Sequence, residues 1–189
     1  MCCKFEANKS EFFYNKMNVF LIGYMASGKT TVGKALAKKI NFQFIDLDHY
    51  IENKEGISIP EIFKLEGEIL FRKKETLYLK ELISNDEKSV ISLGGGTPCY
   101  GENLKLLLCS QNAMTIYLKA SLNELVKRLS KDKQNRPLIA HIESDDALRE
   151  FIGKHLFERS NYYNQAKTTI SVDNQTVDRI VEDIVLSLF

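Results

Sequence analysis

Little in this chain points to a metal cluster, a membrane or a nucleic acid. Its 189 residues include four cysteines and three histidines. Cys2, Cys3, Cys99 and Cys109 form no C-x-x-C pair, and His49, His141 and His155 are scattered, so no zinc-binding spacing exists. Free thiols in a reducing cytoplasm are the expected state. A formal net charge of +1 provides no field to gather nucleic acid or an anionic membrane surface. Cationic chemistry must therefore come from a few placed arginines. No apolar run approaches the roughly 20 residues of a membrane-spanning helix. There is no internal repeat and no second-domain boundary. At 21.7 kDa and 44% hydrophobic residues, one domain with a sizeable core is expected, acting as a monomer on a small molecule.

Residues 1–16 show no clear period, and Lys4, Glu6, Lys9 and Glu11 interrupt any apolar centre of a signal peptide. An interaction arm or an acylated Cys2-Cys3 pair is one reading, and a loose extension is the one adopted. Met17 directly precedes the first strand and offers an alternative start. The domain is expected to run over 17–189.

What the chain does have is Gly23-Tyr-Met-Ala-Ser-Gly-Lys-Thr30, between the apolar run Val19-Phe-Leu-Ile22 and the helical pattern that begins at Thr31. Strand, glycine-bounded loop and helix form the context of a Walker A loop. Gly23 and Gly28 let the backbone turn its N–H groups onto an anion. The next helix adds its positive dipole end. Lys29 is expected at the β- and γ-phosphates of a nucleoside triphosphate and the Thr30 hydroxyl on Mg²⁺. Ala26, Ser27, Gly28 and Thr31 complete the predicted nucleotide-binding set.

Along the rest of the chain, periods of two and of about 3.6 alternate. Strands are expected at 19–22, 41–46, 89–93, 113–118 and 168–172, and helices at 31–40, 59–66, 68–83, 104–109, 122–129, from 144 and at 177–188. That alternation predicts a parallel, right-handed, doubly wound α/β sheet. Ser58-Ile-Pro-Glu61 and Ser121-Leu-Asn-Glu124 have the form of capping boxes. Asp46 and Asp48 end the second strand, where i and i+2 side chains share a face if the chain stays extended. Turn formation and helix capping are the structural alternative. Arg72 lies in the first turns of a helix, against the dipole, with Glu75 one turn on as a candidate ion-pair partner. Gly94, Gly95 and Gly96 follow the third strand, where ligands of open parallel sheets bind, and suit close approach to one. Residues 130–143 are charged and aperiodic, a lid or a solvated linker, with Arg136 kept out of helical geometry by Pro137.

No guanine-reading Asn-Lys-x-Asp occurs, and an AAA-type or transport ATPase needs a longer chain. A small kinase remains. From about Met17 onward the sequence resembles the shikimate kinases. The matching pieces are the loop ending in Lys29-Thr30, Phe44-Ile-Asp-Leu-Asp48, Ile62-Phe63 with Gly67-Glu68, Phe71-Arg72 with Glu75, Gly94-Gly-Gly96, Arg136-Pro137-Leu138, and Arg159 with Tyr163. The resemblance implies a P-loop NTPase-type fold with strand order 2-3-1-4-5 and a mobile lid. It also implies ATP and Mg²⁺ as co-substrate and metal, and shikimate as acceptor. By similarity Arg72 and Arg159 hold the shikimate carboxylate, Asp48 takes the proton of the attacking hydroxyl, and residues 94–96 wrap the ring. Asp46 holds Mg²⁺ through water, Arg136 approaches the phosphates from the lid, and Met25 and Phe63 are apolar walls. The family usually has glycine where Ala26 stands, so a strained positive φ is expected there. Arg128 stands near the place where relatives set an arginine against adenine and is left outside the expected set. Phosphorylation of gluconate or a nucleotide, and nucleotide binding without transfer, are the competing readings.

Overall fold

The computed structural model describes residues 17–133 and 136–188. The expected N-terminal extension, and positions 134 and 135 of the expected lid, lie outside the described residues. Strand β1 (Asn18–Ile22) is buried at every position. It lies between β3 (Ser89–Ser92) and β4 (Ala113–Lys119), with β2 (Gln43–Asp46) and β5 (Thr168–Ser171) at the edges. All pairings are parallel, and the order is β2-β3-β1-β4-β5, as the resemblance implied. Phe20, Leu21, Ile22, Ile91, Ile116 and Leu118 are fully buried along these strands. Such continuous apolar runs are what a sheet covered on both faces requires. After β1 the chain goes to one side, toward β2 and β3; after β3 it crosses to β4 on the other. The crevice between the carboxyl ends of β1 and β3 is thus a topological switch point, where such sheets bind ligands.

Helix α1 (Lys29–Ile40) starts at Gly28, whose φ of 100° is left-handed. Its Gly33 lies so close to β2 that a Cβ there would meet the Phe44 ring at 2.6 Å. Helix α2 (Leu47–Glu55) was not foreseen. Leu47 and Ile51, both buried, form its one apolar stripe, and Gly56 ends it at a φ of 72°. Helix α3 (Ile59–Ser84) carries non-helical geometry at Gly67 (φ 80°, ψ 172°), the break expected between two helices. Both halves of the Ser58–Glu61 capping box are present. A 3₁₀ turn (Thr97–Cys99) leads to α4 (Asn103–Cys109).

Helix α5 (Leu122–Lys131) has only half of its expected box. Ser121 Oγ accepts from the Glu124 N–H at 3.2 Å, but the Ser121 N–H goes to Asp173, leaving the Glu124 carboxylate to Arg128. The stretch after Pro137 is not wholly irregular. A helical turn, α6 (Pro137–Ala140), is anchored by Ile139, which is fully buried, with Ile142 one turn on. Helix α7 (Asp145–Tyr163) is capped by Ser144, and α8 (Val177–Leu188) closes the chain against α1.

Candidate active site

The loop after β1 wraps around its own lysine. Lys29 Nζ donates to the carbonyls of Gly23 and Tyr24, each at 2.9 Å, and is nearly buried. Burial lowers its pKa to about 8, while Asp48 and Asp46 act in the opposite direction. Ala26 takes the expected positive φ, 60°. The buried Ser27 hydroxyl has no hydrogen-bond partner among the described residues. A polar atom left so within a glycine-bounded loop suits a loop built around an anion.

Asp46 and Asp48 come together differently from the extended geometry expected. Asp46 is still extended, at φ −97° and ψ 122°, and stands at the N-cap of α2; Asp48 already lies in the helix's first turn. The Asp46 side chain makes no cap bond and accepts from Thr30 Oγ1 at 3.1 Å instead. Asp48 is thereby turned toward the crevice. Its carboxylate opens onto a cavity that solvent enters, yet protein surrounds most of it. Partial desolvation, then the nearby charges of Asp46 and Glu75, push its pKa up to about 6. A carboxylate so tuned is suited to accept a proton near neutrality.

Two cavities meet at this residue. One, of about 430 Å³, is lined by Ala26, Gly28, Lys29, Thr30 and Thr31 of the loop and helix α1, with Asp46 and Arg136 at its rim. The other, of about 210 Å³, is lined by Arg72, Arg159, Phe63 and Gly96, with Leu138 above. Met25, Asp48, Gly94 and Gly95 border both. Every predicted site residue except Ser27 thus lines one of the two; Ser27 lies beneath the loop. The segment around Pro137 reaches both, through Arg136 on one side and Leu138 on the other.

Arg72 satisfies both readings given for it. It donates to Glu75 at 2.9 Å, and it lines the smaller cavity. Glu75 is buried and also accepts from Thr97 Oγ1 at 2.6 Å, so the pair is fixed from a second element. The Tyr100 ring stacks on the guanidinium, 3.8 Å from centroid to Cζ. Arg159 lies over the Tyr24 ring at 5.7 Å. Arg136 is held by Asp132 at 3.0 Å, in the extended conformation that Pro137 requires. Cys99 lines neither cavity, and burial raises its pKa to about 11, leaving an inert thiol.

Further lining residues stand outside the predicted set, among them Arg128, Ile59 and Leu138. Arg128 reaches from α5 to the Ala26 carbonyl at 3.0 Å and the Val172 carbonyl at 3.3 Å, closing one wall of the larger cavity. The resemblance was its one signal; the i, i+4 pair with Glu124 says nothing of the reach to Ala26. Ile59 and Leu138 enter the smaller cavity; Leu138 belongs to a piece that matches the family, and Ile59 carried no signal beyond being apolar.

Thr30 and Asp46 present a hydroxyl and a carboxylate side by side, both hard oxygen donors. No group of three or more acidic, histidine or cysteine side chains able to hold a metal exists among the described residues. That combination fits Mg²⁺, which takes few protein ligands and completes its shell with water and phosphate.

Chambers for a nucleotide and for a second small molecule that meet at one carboxylate are the layout of a small P-loop kinase; a module that only binds nucleotide needs no second chamber. Comparison with known proteins narrows the class. The family model for shikimate kinase matches residues 25–189, and this chain belongs to the shikimate kinase family. A shikimate kinase of Flavobacterium johnsoniae is 47% identical over 166 residues, 88% of this chain and 95% of that one. The crystal structure of shikimate kinase from Bacteroides thetaiotaomicron superposes with a TM-score of 0.82 at 36% identity, covering 91% of this chain and 98% of the other. Shikimate kinase from Acinetobacter baumannii, solved in complex with shikimate, gives 0.78 at 33% identity over 95% and 96% of the two chains.

Proposed function

We infer that this chain transfers the γ-phosphoryl group of ATP to the 3-hydroxyl of shikimate, forming shikimate 3-phosphate for aromatic amino-acid biosynthesis. The observation that carries the inference, beside family membership, is that Asp48 borders both cavities while Arg72 and Arg159 line only the smaller. Shikimate brings one carboxylate and three hydroxyls, which calls for arginine forks beside a hydroxyl acceptor.

In the proposed mechanism the backbone N–H groups of residues 26–31 cradle the phosphates, and Lys29 exchanges its carbonyl partners for the β- and γ-phosphates. Thr30 and Asp46 would hold Mg²⁺, which would supply neutralisation of the charge that develops on the phosphoryl oxygens. Arg72 and Arg159 take the shikimate carboxylate, residues 94–96 follow the ring, and Met25 and Phe63 cover its apolar faces. Asp48 accepts the hydroxyl proton as the hydroxyl oxygen bonds to the γ-phosphorus. The bond from that phosphorus to the bridging oxygen breaks, and ADP leaves. Residues 130–143 act as a lid that brings Arg136 onto the phosphates and excludes water. Arg128 stands at the base-binding side of the nucleotide. Residues 17–189 are proposed to work as one kinase domain, as a cytoplasmic monomer, without nucleic acid or membrane. The modest net charge provides no field for nucleic acid or an anionic membrane surface, and among the described residues no helix is long and apolar enough to cross a membrane.

A nucleotide acceptor fits the smaller cavity less well. Its phosphate dianion asks for more cationic charge than two arginines, one of them already paired with Glu75, supply. ATP turnover over a panel of shikimate, gluconate and nucleoside monophosphates tests the inference. Mg²⁺-dependent turnover of shikimate alone is expected; turnover of another acceptor with shikimate ignored would overturn it.

A further inference from the structure

Three consecutive glycines have no side chains with which to hold themselves in place, so the position of residues 94–96 must be set through backbone atoms. Two of the three carbonyls close local turns: the Thr97 N–H donates to Gly94 O and the Cys99 N–H to Gly96 O. The carbonyl of Gly95 goes elsewhere. It accepts from the hydroxyl of Tyr163, 68 residues away, at 2.5 Å. Gly95 is also the glycine pressed hardest onto the nucleotide loop, where a Cβ would stand 3.3 Å from the Met25 nitrogen. One phenol hydroxyl therefore holds the segment that borders both cavities.

Tyr163 ends α7 and is fully buried, its ring 5.2 Å from that of Tyr117 on β4. A phenylalanine would fill this space and stack equally well, so packing does not account for the hydroxyl. A buried phenol needs a partner, and here the partner is the functional loop. Four residues earlier on the same helix is Arg159, a lining residue of the smaller cavity, whose charge faces the same hydroxyl. Helix α7 thus delivers one cation to the acceptor chamber and, one turn later, fixes the chamber's opposite wall.

We propose that Tyr163 is a positioning residue for the acceptor: its hydroxyl sets Gly95, and with it the glycine loop, at the spacing from Arg159 that the acceptor spans. This rests on reading the smaller cavity as the acceptor site. Gly95 meets the nucleotide loop at Gly23, Tyr24 and Met25, ahead of residues 26–31 whose backbone cradles the phosphates in the proposed mechanism, so nucleotide binding depends less on that spacing.

The test is steady-state kinetics of Tyr163→Phe beside Tyr117→Phe, which removes the neighbouring hydroxyl from the same stack. Tyr163→Phe is expected to raise the acceptor KM about tenfold, the scale of one lost hydrogen bond. The KM for ATP should stay within about twofold, as should both constants in Tyr117→Phe. An unchanged acceptor KM, a parallel rise in both KM values, an equal effect in Tyr117→Phe, or failure of Tyr163→Phe to fold would each make the hydroxyl a purely structural group. The KM is read for whichever acceptor the unmodified protein turns over. If that is not shikimate, the functional inference falls while the role of Tyr163 is still decided by its own number.

Discussion

The two cavities are built in opposite ways. On the proposed nucleotide side, six lining residues come from one short stretch, Met25, Ala26 and Gly28 to Thr31, whose backbone would do the binding. The proposed acceptor side gathers side chains from α2, both halves of α3, α6 and α7 around the backbone of the glycine loop, with Arg72 and Arg159 far apart in sequence but lining one chamber of about 210 Å³. A contiguous loop carries its geometry wherever a strand and a helix flank it. A chamber assembled from distant elements has its geometry only once the sheet has formed, and a small shift of any contributor changes it. Acceptor recognition is therefore the half open to tuning, and the half that long-range contacts such as Tyr163 to Gly95 must stabilise.

The largest expected effect breaks the contrast at the element that serves both halves. Arg136→Ala should lower kcat by about 10³–10⁵-fold, by analogy with arginine fingers, with a smaller change in shikimate affinity. Turnover near that of the unmodified protein, together with fast hydrogen exchange over residues 130–143 in the presence of both ligands, would make the segment a solvated linker. Next come the two arginines of the acceptor side. Arg72→Ala or Arg159→Ala should weaken shikimate binding by about 2–5 kcal/mol, the cost of breaking a desolvated charged pair, and leave ATP nearly unaffected. Calorimetric titration reads both affinities; equal weakening of the two ligands would dissolve the distinction. The smallest effect concerns strain confined to the nucleotide loop. Ala26→Gly relieves a positive φ of 60° and should raise stability by roughly 0.5–1 kcal/mol. For a chain of this size that is a Tm increase of about 1–4 °C, with an unchanged KM for ATP. A lower Tm would show that the loop is not strained at that position.

The same contrast governs what was legible in the sequence. The strand, loop and helix around Lys29 could be read from their own residues, because that geometry is local, and the family resemblance supplied the positive φ at Ala26. The sheet was legible too, since each strand's apolar run is bounded by a helical period. Helix α2 was missed because only Leu47 and Ile51 mark it, among aspartate, histidine, glutamate, asparagine and lysine. With it went the true relation of Asp46 and Asp48, which share the site through a strand-to-helix turn and not along an extended strand. The lid's helical turn was hidden for the same reason: Ile139 and Ile142 are two anchors in a polar stretch. Arg128 reaches the loop from 102 residues away, and no spacing rule encodes such a contact.

The central claim is that Asp48, where the two chambers meet, takes the proton. Its pKa in the free protein is raised to about 6 by desolvation and by Asp46 and Glu75, and only the ionised form can act as a base. The profile of kcat/KM for shikimate against pH reports the free protein's ionisations. It should rise from acid, bend near pH 6, and fall again above about pH 8 as Lys29, whose pKa burial lowers, loses its proton. Asp48→Asn should fold, bind ATP and lose roughly 10²–10⁴-fold in kcat, with the bend near pH 6 gone from its residual activity. A variant that keeps both its turnover and the bend would contradict the account, because another group would then be removing the proton.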